Sequence, residues 1–160
     1  MTSNPRKLFY SFPRLASALC VALTLVVVGA CSHKPTPTLE QQAHADLVAY
    51  EAQIRKVVPD QARADQLVAL TNEFEQLVRD TAANADGYRA KAAALNSNYE
   101  ATRADFEALL SQQEAIGKNF RQKAGALRER MVALTTDSEW EQLGKTRLPA
   151  LEAYLKELRS

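Results

Sequence analysis

Apolar residues recur at steps of three and four from Leu39 onward, the spacing that places them on one face of an α-helix. Pro59 has no backbone donor and predicts that a first helix ends just before it, while Asp60 can cap the next one. Thr136 and Glu139 form a capping-box pattern, which predicts another helix start. The pattern therefore indicates four helical segments. Their apolar faces are Ala43, Leu47, Tyr50, Ile54 and Val57; Leu67, Leu70, Phe74, Leu77, Thr81, Tyr88 and Leu95; Tyr99, Phe106, Leu109, Ile116, Phe120, Leu127, Met131 and Leu134; and Trp140, Leu143, Leu148, Leu151, Leu155 and Leu158.

Two sites compete for the turn between the second and third segments, residues 84–87 and residues 96–98. Acidic side chains favour the start of a helix and basic ones its end, because of the helix dipole. A turn at 96–98 satisfies this rule, since Arg89 then lies late in the second helix and acidic residues lie early in the third. Ser97 and Glu100 would cap that third helix. Asp-Gly within 84–87 is better turn chemistry, but we predict the reversal at 96–98 and a kink at 84–87.

The predicted fold is all-α, an antiparallel helical hairpin or bundle of about four segments with two long central helices. Each central helix has ~35 residues and spans about 50 Å. The composition agrees, because the chain has only five glycines and six prolines and is rich in good helix formers. This helical domain is predicted over residues 39–160.

The N-terminal residues differ from the rest. Residues 1–14 carry three basic side chains, and residues 15–28 form an uncharged apolar run. That run spans about 21 Å as a helix, short of the ~30 Å hydrocarbon core, so a signal peptide fits better than a transmembrane helix. The next residues are Val28-Gly29-Ala30-Cys31, which resembles the lipobox of bacterial lipoproteins. An ordinary cleaved signal that happens to precede a cysteine is the alternative.

The resemblance implies that residues 1–30 are removed and that Cys31 carries a diacylglyceryl thioether. Two or more acyl chains anchor a protein stably in a membrane. Ser32 follows the cysteine, and by the sorting rule of enteric bacteria this implies the outer membrane, with the protein facing the periplasm. Residues 31–38 then form the lipidated cysteine and a proline-containing tether that reaches about 20 Å.

Charge argues against nucleic acid as a partner. Three basic residues and no acidic residue precede Cys31, which leaves 17 basic and 19 acidic side chains after residue 30. Nucleic-acid binding needs a concentrated basic face. One local basic cluster could bind an anionic envelope polymer, or could simply match the helix dipole and face the acidic second helix. The cluster comprises Lys118, Arg121, Lys123, Arg128 and Arg130.

Catalytic and metal-binding patterns are not evident. His33 and His44 are the two histidines, and Glu40 precedes His44 by one helical turn. A surface pair is the favoured interpretation of Glu40 and His44, since a metal site needs several converging ligands. No thiol follows Cys31 and no glycine-rich phosphate loop is present. We therefore expect no catalytic residue, no metal and no cofactor.

These observations favour a non-enzymatic envelope lipoprotein that binds another envelope protein as an accessory, scaffold or holdase-like factor. Long apolar helical seams pair readily with partner helices. The alternative is a protein that binds a small ligand, responds to metal stress or binds an anionic envelope polymer.

Overall fold

The computed structural model describes residues 36–158, and within that range the protein is built from five helices without a strand. The helices are α1 (Leu39–Val57), α2 (Gln61–Asn96), α3 (Arg103–Ala133), α4 (Asp137–Gly144) and α5 (Pro149–Glu157). The predicted all-α fold with two long antiparallel central helices is confirmed, since α2 and α3 pack along each other. The predicted signal peptide and Cys31 lie outside the described residues. No helix between residues 36 and 158 is long and apolar enough to cross a bilayer.

Local sequence signals set most of the helix ends. Pro59 follows the end of α1, and the Asp60 carboxylate accepts a hydrogen bond from the Arg63 amide at 2.9 Å, which caps α2. Thr136 and Glu139 form the capping box that begins α4. Each satisfies backbone amides that a helix start leaves without a partner. The predictions at these three positions are confirmed.

The chain reverses direction between residues 97 and 102, as predicted, and α2 runs without interruption through residues 84–87. The predicted cap was wrong. The Thr102 hydroxyl accepts from the Asp105 amide at 3.4 Å, and the Asp105 carboxylate accepts from the Thr102 amide at 2.8 Å. The third helix therefore begins at Arg103, and Tyr99, which the pattern placed on its apolar face, lies in the turn with its side chain fully exposed.

The structure supports only the acidic half of the charge prediction at this turn, since Asp105 lies in the first turn of α3. The last turn of α2 contains no basic residue. Arg89 instead binds Asp86 at 2.9 Å, and Lys91 donates to Gln112 of α3 at 3.0 Å. These two cations therefore act through side-chain partners rather than through the end of the helix.

The predicted fourth helix is two helices, α4 and α5, because Pro149 cannot continue α4. Pro149 occupies the first turn of α5, which has no side-chain cap of its own. Asp46 on α1 supplies one instead, since its carboxylate accepts from the amides of Ala150 at 2.8 Å and Leu151 at 3.1 Å. This contact between distant residues docks α5 on α1.

Helix α1 contacts α2, α4 and α5, and three apolar clusters form at these contacts and between α2 and α3. Burying one such aliphatic side chain contributes roughly 1.5–3 kcal/mol. The buried members of the clusters are Ile54, Val58, Ala64, Leu67, Val68 and Leu143; Ala43, Leu47 and Leu151; and Leu70, Leu77 and Leu127. The described residues from 37 to 158 belong to one compact unit that contains all three clusters, so this unit buries its own core. None of the clusters takes a residue from positions 79–119.

Candidate binding surfaces

The helices that cover α2 and α3 stop part of the way along them. His44, near the start of α1, lies level with Glu75 of α2, with its Nδ1 2.8 Å from the Glu75 Oε1. Helix α5 reaches farther, since Arg89 donates to the backbone oxygen of Glu157 at 3.3 Å. Beyond this point α2 and α3 pair with each other, and we call residues 92–111 the distal hairpin.

The distal hairpin exposes large apolar side chains. Tyr99 is fully exposed, Leu110 is 54% exposed and Phe106 is 37% exposed, while Leu109 is buried against α2. Phe106 and Leu110 are four residues apart and therefore share one face of α3. Two neighbouring apolar side chains on an uncovered helix face are the arrangement that a partner helix recognises.

A cleft of about 720 Å³ lies where the cover of α5 ends. Its walls come from α2 and α3, and its third side comes from the end of α5. The residues that line it are Thr81, Ala85, Tyr88, Arg89, Gln113, Glu114, Ile116, Gly117, Lys118, Phe120, Arg121, Leu155 and Leu158. Gln113 and Gly117 follow Phe106 and Leu110 at helical spacing, so the cleft and the exposed apolar face of the distal hairpin are continuous along α3.

The five predicted anion-binding residues do not form one patch. Arg130 donates two hydrogen bonds to Glu73 of α2, at 2.6 and 3.0 Å, and lowers the pKa of that carboxyl. The Arg128 guanidinium lies 5.5 Å from the centre of the Trp140 ring. Lys123 is exposed on α3 away from the cleft. The remaining two, Lys118 and Arg121, are brought together at the cleft.

His44 has a different partner from the one that the sequence suggested. Its ring contacts Glu75 on α2, not Glu40, and Arg79 also binds the Glu75 carboxylate. These contacts make His44 and Glu75 part of a surface network between α1 and α2. Within residues 36–158, histidine and acidic side chains do not form a group of three or more that could hold a metal ion.

Sequence reasoning missed the exposed apolar face of the distal hairpin. The period of three and four assigned Phe106 to a buried seam, whereas the structure buries Leu109 and leaves Phe106 and Leu110 accessible. A signal was present, because adjacent apolar residues at 109 and 110 make the apolar stripe wider than one neighbouring helix can cover. The pattern Thr102-x-x-Asp105 likewise indicated the true start of α3.

Comparison with protein-family models, curated proteins and solved structures gives no match to this chain. The functional interpretation of the candidate surfaces therefore rests on their geometry. That geometry suits binding: an apolar face of the distal hairpin that no third helix within residues 36–158 covers, and beside it a cleft lined by apolar side chains, three cations and one carboxylate.

Proposed function

We propose that this chain is the precursor of a lipid-anchored envelope protein that carries out no catalysis and binds a partner protein through its distal hairpin. The main observation behind the proposal is that the helices that cover α2 and α3 end before the distal hairpin. The first part of α2 and the last part of α3 form a closed core with α1, α4 and α5. Within residues 36–158 no third helix covers the distal hairpin, which exposes Phe106 and Leu110 on one face.

The partner surface that fits is an amphipathic helix. Helix α5 docks on α1, and its end reaches Arg89 and lines the cleft beside α2 and α3, from which the exposed face of α3 continues along the distal hairpin. A further helix on that face would complete a three-helix arrangement and cover Phe106 and Leu110. Burial of apolar surface supplies the driving force for such an association, at about 25 cal/mol per Å².

Site-specific photo-crosslinking tests the partner. A photoreactive amino acid replaces Leu110 in the full chain expressed in cells, and replaces Val48 on α1 as the control, since the two side chains are 54% and 51% exposed. We expect a discrete crosslinked protein from position 110 and none from position 48. The crosslinked peptide should carry apolar residues at helical spacing. Equal products from both positions, a peptide from this chain itself, or no product at 110 would overturn the proposal.

The anchor is supported by Val28-Gly29-Ala30-Cys31 and by the apolar run before it. Cells fed an alkyne-bearing fatty acid provide the test. Cys31→Ser should abolish labelling of the protein, because the thioether cannot form on an oxygen side chain. Cys20→Ser is the matched control, since Cys20 lies in the predicted signal peptide, and it should leave labelling unchanged. Undiminished label on the Cys31→Ser protein would remove the lipoprotein assignment.

A further inference from the structure

The cleft between α2, α3 and α5 has the size of a small-molecule site. Its volume of about 720 Å³ lies within the range of roughly 300–1,000 Å³ that is usual for ligand pockets. It lies at the edge of the closed core, since Phe120 and Leu155 line it and also pack against the apolar clusters. It adjoins the exposed pair Phe106 and Leu110 along α3, but neither of these two residues lines it.

Part of the cleft lining is apolar. Half-buried side chains from all three helices contribute to it, namely Tyr88, Ile116, Phe120, Leu155 and Leu158. The Thr81 hydroxyl donates to the backbone oxygen of Leu77 at 2.7 Å, so it is already satisfied. A hydrocarbon chain laid on this surface would exchange its contact with water for contact with these side chains.

Two cations at the cleft, Lys118 and Arg121, form no ion pair within residues 36–158, and one carboxylate, Glu114, also lines the cleft. Lys118 and Arg121 are three residues apart on α3, and both are exposed. Arg89 also lines the cleft, but its guanidinium is held by Asp86 and by the Glu157 backbone oxygen. Lys118 and Arg121 are therefore available to a ligand, whereas the other cation is engaged.

Gly117 leaves room for the Arg121 guanidinium. A Cβ atom at residue 117 would lie 3.3 Å from the Arg121 Nη1, closer than ordinary van der Waals contact. With glycine there, the guanidinium can lie across the helix surface one turn back from its own Cα. Because glycine has no side chain, position 117 also leaves space in the cleft beside Lys118.

We propose that this cleft binds amphiphiles that combine one acyl chain with one anionic head group, a carboxylate or a phosphate. The chain lies on the apolar surface and the head group meets Lys118 and Arg121. Hydrogen bonds between ionised partners are the stronger ones, and guanidinium pairs well with either oxyanion. This inference goes beyond the proposed partner binding, because it assigns a small-molecule ligand to the cleft that adjoins the proposed partner surface.

Binding to purified residues 37–160 tests the proposal in the absence of any partner protein. Calorimetric titration compares dodecanoate, dodecyl phosphate and dodecanol, each below its aggregation concentration. We expect saturable binding of one anion per protein and an affinity for dodecanol that is weaker by about tenfold or more. Preference for the carboxylate would indicate free fatty acids as the natural ligand, and preference for the phosphate would indicate lysophospholipid head groups.

Three variants locate the site. Lys118→Gln with Arg121→Gln should weaken anion binding about tenfold. The control Lys56→Gln with Lys123→Gln removes two charges outside the cleft and should leave binding unchanged. Gly117→Leu should block the cleft while favouring the helix, and dichroism melts check that each variant is folded.

The proposal would be overturned by the absence of saturable binding, by an equal loss of anion affinity in the control pair, or by undiminished anion binding to the Gly117→Leu protein. A dodecanol affinity equal to that of the anions would also overturn it. None of these results bears on the photo-crosslinks from position 110, so the proposed ligand and the proposed partner protein are tested independently.

Discussion

Arg63, in the first turn of α2, binds Glu139, in the first turn of α4, through two hydrogen bonds. Its Nη1 donates to Glu139 Oε2 at 2.9 Å and its Nη2 donates to Oε1 at 3.1 Å. The same Nη1 donates to the backbone oxygen of Leu134 at 3.1 Å, at the end of α3. Glu139 also accepts from the Thr136 amide at 2.8 Å. One pair of side chains thus joins the starts of two helices to the end of a third.

This arrangement predicts a pH dependence of stability. The Arg63 guanidinium, together with the Thr136 amide, lowers the pKa of the Glu139 carboxyl from 4.5 to about 2. A carboxyl whose pKa is lower in the folded state stabilises that state fully above its unfolded pKa. Its contribution is lost as the pH falls from about 4.5 towards about 2. Glu139→Gln should therefore destabilise the protein at neutral pH, and the difference from the parent should shrink over that acid range.

Urea unfolding of residues 37–160 at a series of pH values measures this effect. Glu141→Gln is the control on the same helix, because Glu141 is exposed and pairs only with Lys145 at the surface. It should change the free energy of unfolding little at any pH. A Glu139→Gln deficit that stays constant down to the lowest pH would show that the charge of Glu139 does not stabilise the fold.

The core at the α1–α2 contact should be sensitive to truncation. Ile54 is completely buried beside Val58, Leu67 and Leu143, so Ile54→Ala leaves a cavity and should cost about 2–5 kcal/mol of unfolding free energy. Val48→Ala on the same helix removes a side chain that is 51% exposed and should change stability by about 0.5 kcal/mol or less. Chemical denaturation compares the two, and similar losses would mean that α1 is not docked as described.

The reversal between α2 and α3 can be measured as a distance. Lys91 and Gln112 are in side-chain contact across the hairpin, and the sequence has no cysteine after Cys31. Spin labels at these two positions of residues 37–160 should therefore report a short distance. A continuous helix would hold them about 32 Å apart. Labels at Gln112 and Lys123, both on α3, serve as the control at about 16 Å.

Local signals made much of the fold predictable. The caps at Asp60 and Thr136 involve residues three apart, so the sequence contains the whole interaction. The contacts between helices were not predictable in this way, since Asp46 caps α5 from 104 residues away and nothing near Pro149 indicates that partner. The split of the predicted fourth helix did have a local signal in Pro149, but the apolar spacing from Trp140 to Leu158 was given more weight than that proline.

The candidate surfaces were less predictable than the fold. Periodicity tells which residues share a helix face, but the number of neighbouring helices that cover that face depends on where α1 and α5 end. Phe106 was for this reason assigned to a buried seam. Lys118 and Arg121 were selected together with Arg128 and Arg130 because all four are basic. The sequence does not show that Arg128 contacts Trp140 and that Arg130 binds Glu73, since both partners lie on other helices.

If the closed core folds the protein and the distal hairpin binds the partner, a protein with a shortened hairpin should remain folded and lose partner binding. A short glycine-serine turn replaces residues 92–111 in the full chain and joins Lys91 to Gln112, whose side chains are already in contact. The three apolar clusters take no residue from the removed stretch.

Chemical crosslinking in intact cells and a dichroism melt of the purified protein provide the two readouts. We expect the shortened protein to remain helical, with a thermal midpoint close to that of the parent. It should no longer crosslink to the protein that position 110 captures in the parent chain. A shortened protein that unfolds, or one that remains folded and still captures the same partner, would contradict it.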